Sequence, residues 1–204
     1  MFIYQSLIDS IVQLILFSLI PFIWWFIFWR KKENFIFWIG IKKPIVQNKR
    51  LVILLGFLFL VFSLSSNIFL EIVETSETAV GQFQGMGTAA LLPGLLFGMI
   101  QTGAAEEILF RGFLAKRCIQ HLGFVFGNIF QAFLFGVMHL VLFQIASSIN
   151  LFQSALIFFI PFLTSLFFGY INEKKSDGSI IPSWLLHGIG NVIASIVTMF
   201  NLNI

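Results

Sequence analysis

Residues 11–29 read IVQLILFSLIPFIWWFIFW, without one charged side chain. No other kind of feature limits the fold so strongly. In lipid, such a segment satisfies its backbone N–H and C=O groups only by coiling into a helix. About 20 apolar residues cross a bilayer, and runs of that length recur along the chain. They fall at roughly 7–29, 51–70, 88–118, 124–145, 149–171 and 180–202. Charged residues make up 10% of the chain, against about 25% in a soluble domain. The expectation is all-α: a polytopic membrane helical bundle of about six transmembrane helices, with residues 1–204 forming a single integral-membrane domain. Trp24, Trp25 and Trp29 suit a membrane interface.

The loops predict an orientation. Arg30, Lys31, Lys32, Lys42, Lys43, Lys49 and Arg50 lie between the first two runs. Lys116 and Arg117 follow the third, and Lys174 and Lys175 follow the fifth. These are alternate loops, so all can face the cytoplasm together. The loop between the second and third runs carries Glu71, Glu74 and Glu77 and no base. A multi-pass cell-membrane protein with both termini extracytoplasmic is expected. The N-terminal run lacks a preceding basic region and is too long for a signal-peptide core, so it reads as a retained helix. A net charge of +3, held in short clusters at helix ends, is no nucleic-acid footprint. The lone Cys118 excludes an internal disulfide and a cysteine zinc cluster.

Setting aside run ends and loops, few ionisable residues sit inside the runs. Each costs roughly 2.5–3.5 kcal/mol on insertion scales and faces the bundle interior. They are Glu106, Glu107, Arg111, His139 and His187, joined by the amide Asn191. Glu107 and Arg111 are four apart and can pair on one face. Glu106 then points about 100° away, so two adjacent acids can hold separate roles. Phe135 and His139 share a face by the same spacing, as do His187 and Asn191. A Glu–Arg pair alone often only holds a bundle together. An isolated membrane histidine is often just a packed residue. Two histidines and an unpaired glutamate on three different helices are harder to assign to packing.

Two chemistries use this set. A carboxylate can act as general base on water beside one imidazole, while a second imidazole and an amide donate to an oxyanion. Alternatively, Glu106, His139 and His187 can ligate Zn2+ or another divalent metal and leave a position for water. Both stand open. No H-E-x-x-H or G-x-S-x-G motif competes. Both aspartates, Asp9 and Asp177, lie near run ends, which excludes an intramembrane aspartyl dyad. A small transporter using buried acids is a rival class, weakened by the absence of repeats.

Three short motifs carry a resemblance. EEILFR (Glu106 to Arg111) fits E-E-x-x-x-R, FGVMH (Phe135 to His139) fits F-x-x-x-H, and HGIGN (His187 to Asn191) fits H-x-x-x-N. In this order on successive apolar runs, over roughly residues 88–202, they resemble the CAAX-protease and bacteriocin-processing (CPBP, or Abi) intramembrane proteases. The resemblance implies a peptidase site inside the bilayer and a peptide or membrane-protein substrate. Glu106 and His139 would activate water. His187 and Asn191 would bind the oxyanion or complete the site. Glu107 and Arg111 would orient the motif helix, with Phe135 in a supporting place. A non-catalytic bacteriocin-immunity or membrane binding protein on the same fold is the alternative.

Overall fold

The computed structural model describes residues 2–46, 50–51, 53–54, 56–58, 61, 78–146 and 148–202. All regular structure among them is helical. Four stretches are long and apolar enough to cross a membrane: Phe2–Phe28, Gly87–Ala146, Leu151–Lys175 and Ile181–Met199. The 60-residue stretch is two spans, because Gly123 adopts φ 74° and ψ 167° and breaks it. A positive φ is open to glycine at little cost. Five of the six expected runs are therefore present as helices. The sixth, at 51–70, and the acidic loop with Glu71, Glu74 and Glu77 lie almost wholly outside the described residues.

We number the helices α1 (Phe2–Phe28), α2 (Phe35–Trp38), α3 (91–122), α4 (124–146), α5 (Leu151–Tyr170) and α6 (Ile181–Met199). α1 turns small residues inward: Ser6, Ser10 and Pro21 are buried while Ile15, Leu16 and Ile27 are exposed. That polarity inverts a soluble helix and fits a lipid-facing one, since membrane helices pack through small residues. α3 is not uniformly α-helical. Residues Phe97–Ala104 and Ile108–Ala115 wind as π-helix on either side of Ala105–Glu107. Such wider turns are frequent at functional sites.

Two close crossings shape the bundle. α3 meets α6 through glycines: a Cβ on Gly98 would lie 2.8 Å from the Gly188 carbonyl, and one on Gly103 would lie 3.1 Å from Gly188 Cα. Trp184 Nε1 donates to the Met99 carbonyl across this crossing at 2.7 Å. α4 and α5 form a hairpin clasped by polar side chains. Asn128 Nδ2 donates to the Leu166 carbonyl (2.8 Å), Gln131 Nε2 donates to the Ser165 carbonyl (3.1 Å), and Ser165 Oγ donates to Gln131 Oε1 (3.0 Å). Asn150 and Gln153 form a capping box that starts α5. Pro182 opens α6, where its missing N–H costs nothing.

The basic loops converge. Lys116 Nζ reaches Glu173 Oε1 (2.8 Å) and the Gly178 carbonyl (2.6 Å), Lys42 pairs with Asp177 (3.1 Å), and the Ile180 N–H donates to the Gly40 carbonyl (2.9 Å). Segments 34–43, 116–117 and 173–180 thus share one end of the bundle. At the opposite end Phe2 stacks edge-on against Phe83, and the Gly85 N–H donates to the Thr198 carbonyl.

Candidate active site

Glu107 and Arg111 are fully buried where the two π-wound segments of α3 are joined. Arg111 Nη1 lies 2.9 Å from Glu107 Oε1. Its guanidinium also stands 4.2 Å from the Phe135 ring centre and 5.2 Å from that of Phe168. Two aromatic faces and one carboxylate surround the charge, an attractive arrangement for a desolvated cation. Glu107 has further partners. His187 Nδ1 lies 3.1 Å from Oε1, and Ser183 Oγ donates to Oε2. Asn172 Nδ2 in turn donates to Ser183 Oγ at 2.7 Å. A buried carboxylate needs this many partners because its solvation is lost.

Glu106 faces elsewhere. It lines a cavity of about 830 Å³ with Phe135, His139, His187 and Asn191. Its Oε2 is buried and has no hydrogen-bond partner among the described residues; His187 Nε2 is 3.7 Å away. His187 therefore lies between the two acids, Nδ1 toward Glu107 and Nε2 toward Glu106. His139 Nδ1 is 2.9 Å from the Phe135 carbonyl. A carbonyl only accepts, so Nδ1 carries the proton and the neutral ring keeps its Nε2 lone pair. The Phe135 ring stands between the imidazoles, 4.4 Å from His139 and 6.2 Å from His187. Asn191 Nδ2 donates to Thr102 Oγ1 (2.7 Å), and Thr102 Oγ1 donates to the Phe97 carbonyl (3.0 Å), the i−5 partner that π-winding supplies.

Every residue singled out by the three motifs thus belongs to one connected region. Glu106, Phe135, His139, His187 and Asn191 line the cavity, while Glu107 and Arg111 lie beneath it. Sequence reasoning missed Thr102, Phe168, Asn172 and Ser183. For Ser183 a signal existed, since it precedes His187 by four positions on α6. Thr102 stands likewise four before Glu106. Among the described residues, no three His, Cys, Asp or Glu side chains are spaced to hold a metal ion. Glu106, His139 and His187 therefore do not form a preassembled three-ligand site.

The family model for type II CAAX prenyl endopeptidase Rce1-like matches residues 88–193, more than half of the chain. The chain belongs to this family of membrane endopeptidases. The matched segment begins just before α3 and ends within α6, so it contains all three motifs and the whole layer around Arg111. A multi-pass membrane protease is what this family and these helices describe together. No curated protein and no solved structure matches the chain.

Proposed function

We propose that the chain is an intramembrane endopeptidase in which Glu106 and His139 activate a water molecule inside the cavity. The observation that carries this reading is the unpartnered Glu106 oxygen, buried beside two imidazoles in a cavity large enough for a peptide segment. A buried carboxylate oxygen without a hydrogen bond costs stability, and a task in catalysis accounts for keeping it. A purely binding role, such as sequestering a bacteriocin, gives that oxygen nothing to do.

The reaction divides among the residues as follows. Water donates one hydrogen to Glu106 and the other to His139 Nε2. Glu106 takes the first proton as the water oxygen bonds to the scissile carbonyl carbon. The oxyanion is met by the second amide hydrogen of Asn191, whose first is held by Thr102. His187 is held at Nδ1 by the Glu107 carboxylate, which keeps its Nε2 edge turned toward Glu106 and the cavity. Glu106 then passes its proton to the departing amine nitrogen, and the C–N bond breaks. The products are a carboxylic acid and an amine, with water consumed and no covalent intermediate.

Glu107 and Arg111 act as positioning residues, holding His187 and the Phe135 platform. The basic end of the bundle is placed in the cytoplasm by the positive-inside rule, which puts both termini outside. The test is cleavage of a quenched-fluorescence peptide library by purified protein in detergent, compared with the Glu106→Gln variant. Cleavage by the wild type alone is expected. Equal cleavage by both would remove Glu106 from the reaction. Repeating the assay with a chelator decides whether an added metal takes part.

A further inference from the structure

Toward the basic end the cavity lining among the described residues stops at Glu106, Phe135, Phe168 and His187, which form its floor. Directly beneath lie Glu107, Arg111, Asn172 and Ser183, each at most 1% exposed. None of these four residues, and none of the basic-end side chains Lys42, Lys116, Glu173 or Asp177, lines the cavity.

From the floor the lining runs the other way. On α4 it passes from Phe135 through His139 to Ala146, the last residue of that helix. On α6 it passes from His187 to Ala194, again away from the basic end. On α3 it climbs from Glu106 back to Phe97 near the helix start, and it finishes on Thr78 to Gln82. Among these, Ala79, Gln82, Leu142 and Ala146 are exposed. α1 adds Gln13, whose side chain lies 3.4 Å from that of Gln101. The hydrolytic groups are thus reached from the end that carries Phe83 and Thr198, opposite the lysine and arginine clusters.

From this direction we infer that the substrate enters from the extracytoplasmic face: a peptide segment exposed on the outer side of the membrane, apolar around its scissile bond. The walls between mouth and floor set the apolar preference, through Val80, Phe97, Leu142, Phe143, Ile160 and Ala194. Polar groups such as Gln13, Gln101 and Thr164 stand among them and can meet a peptide backbone. A cytosolic chain end would meet the packed layer around Arg111 instead of the cavity. The inference rests on the peptidase reading for what the cavity does, and on geometry and loop charge for which side it faces.

Thr164 lines the cavity and takes no part in the proposed reaction, so it reports access directly. In a Cys118→Ser background, Thr164→Cys and Gln82→Cys would be exposed in intact cells to a membrane-impermeant methanethiosulfonate. Lys175→Cys marks the basic end. Reaction of the first two from outside, with Lys175→Cys reacting only after permeabilisation, is the expected pattern. Reaction of Lys175→Cys from outside, or of Thr164→Cys only after permeabilisation, would overturn the inference. Cleavage of the peptide library in detergent is scored separately. Lost cleavage with the expected labelling would refute the peptidase reading and leave the outward opening standing. Intact cleavage with the reverse labelling would do the opposite.

Discussion

One oxygen of Glu107 lies 3.1 Å from His187 Nδ1 and 2.9 Å from Arg111 Nη1. The acid that neutralises Arg111 therefore also orients an imidazole of the cavity. Removing Arg111 or Glu107 strands a buried charge, and removing Glu107 also frees the ring.

Arg111→Met tests the first effect. Breaking a buried pair by removing one member costs about 3–5 kcal/mol. A matching fall in unfolding free energy in detergent is expected. The double variant Glu107→Gln with Arg111→Met should recover much of that loss, because the stranded charge is gone. A single variant as stable as the wild type would show that the pair carries no weight in the fold.

Asn191 is aimed by Thr102, so Thr102→Val should disturb catalysis more than folding. The substitution keeps the shape and removes the hydroxyl that accepts from Nδ2. Loss of one such bond is worth about 1 kcal/mol, and a change near 1.4 kcal/mol is about tenfold in rate. A drop of kcat approaching tenfold is expected, with KM little changed and the unfolding transition nearly in place. Thr102→Ser should restore the rate. A change in KM alone would argue that Thr102 only shapes the binding walls.

The α4–α5 hairpin supplies Phe135, His139 and Phe168, and its closeness depends on Gly169. A Cβ there would run into the side-chain amide of Asn128, which clasps the Leu166 carbonyl. Gly169→Ala should destabilise the protein by about 1–3 kcal/mol, the range for overpacking. Unfolding curves in detergent check this. Retained stability would mean that the Asn128 clasp can swing aside freely.

The sequence made several of these features readable in advance. Long apolar runs located α1, α3, α4, α5 and α6, because lipid leaves a backbone no alternative to the helix. The Glu107–Arg111 pairing was readable from four-residue spacing, and so was the shared face of Phe135 and His139. The π-winding of Phe97–Ala104 was not, since hydropathy does not report which carbonyl an N–H chooses. Ser183, Asn172 and Thr102 were hidden for a related reason: small polar residues are common in spans, and only the folded contact distinguishes a ligand of Glu107 from a helix-packing residue. Gly98, Gly103 and Gly136 each have neighbouring backbone no more than 2.8 Å from where a Cβ would sit, a closeness that hydropathy alone does not report. The direction in which the cavity opens needs the spatial order of helices, which no single run contains.

The most direct measurement is the single-turnover rate of peptide cleavage by purified protein carrying Glu106→Gln, set beside Glu107→Gln and the wild type. General-base catalysis is worth about 10²–10⁴-fold. The account predicts a Glu106→Gln rate lower by at least about 100-fold, in a protein whose unfolding transition is unchanged or raised because an unpartnered charge has gone. Glu107→Gln should instead show its main loss in stability. A Glu106→Gln protein that cleaves at the wild-type rate would contradict the claim that this carboxylate drives hydrolysis.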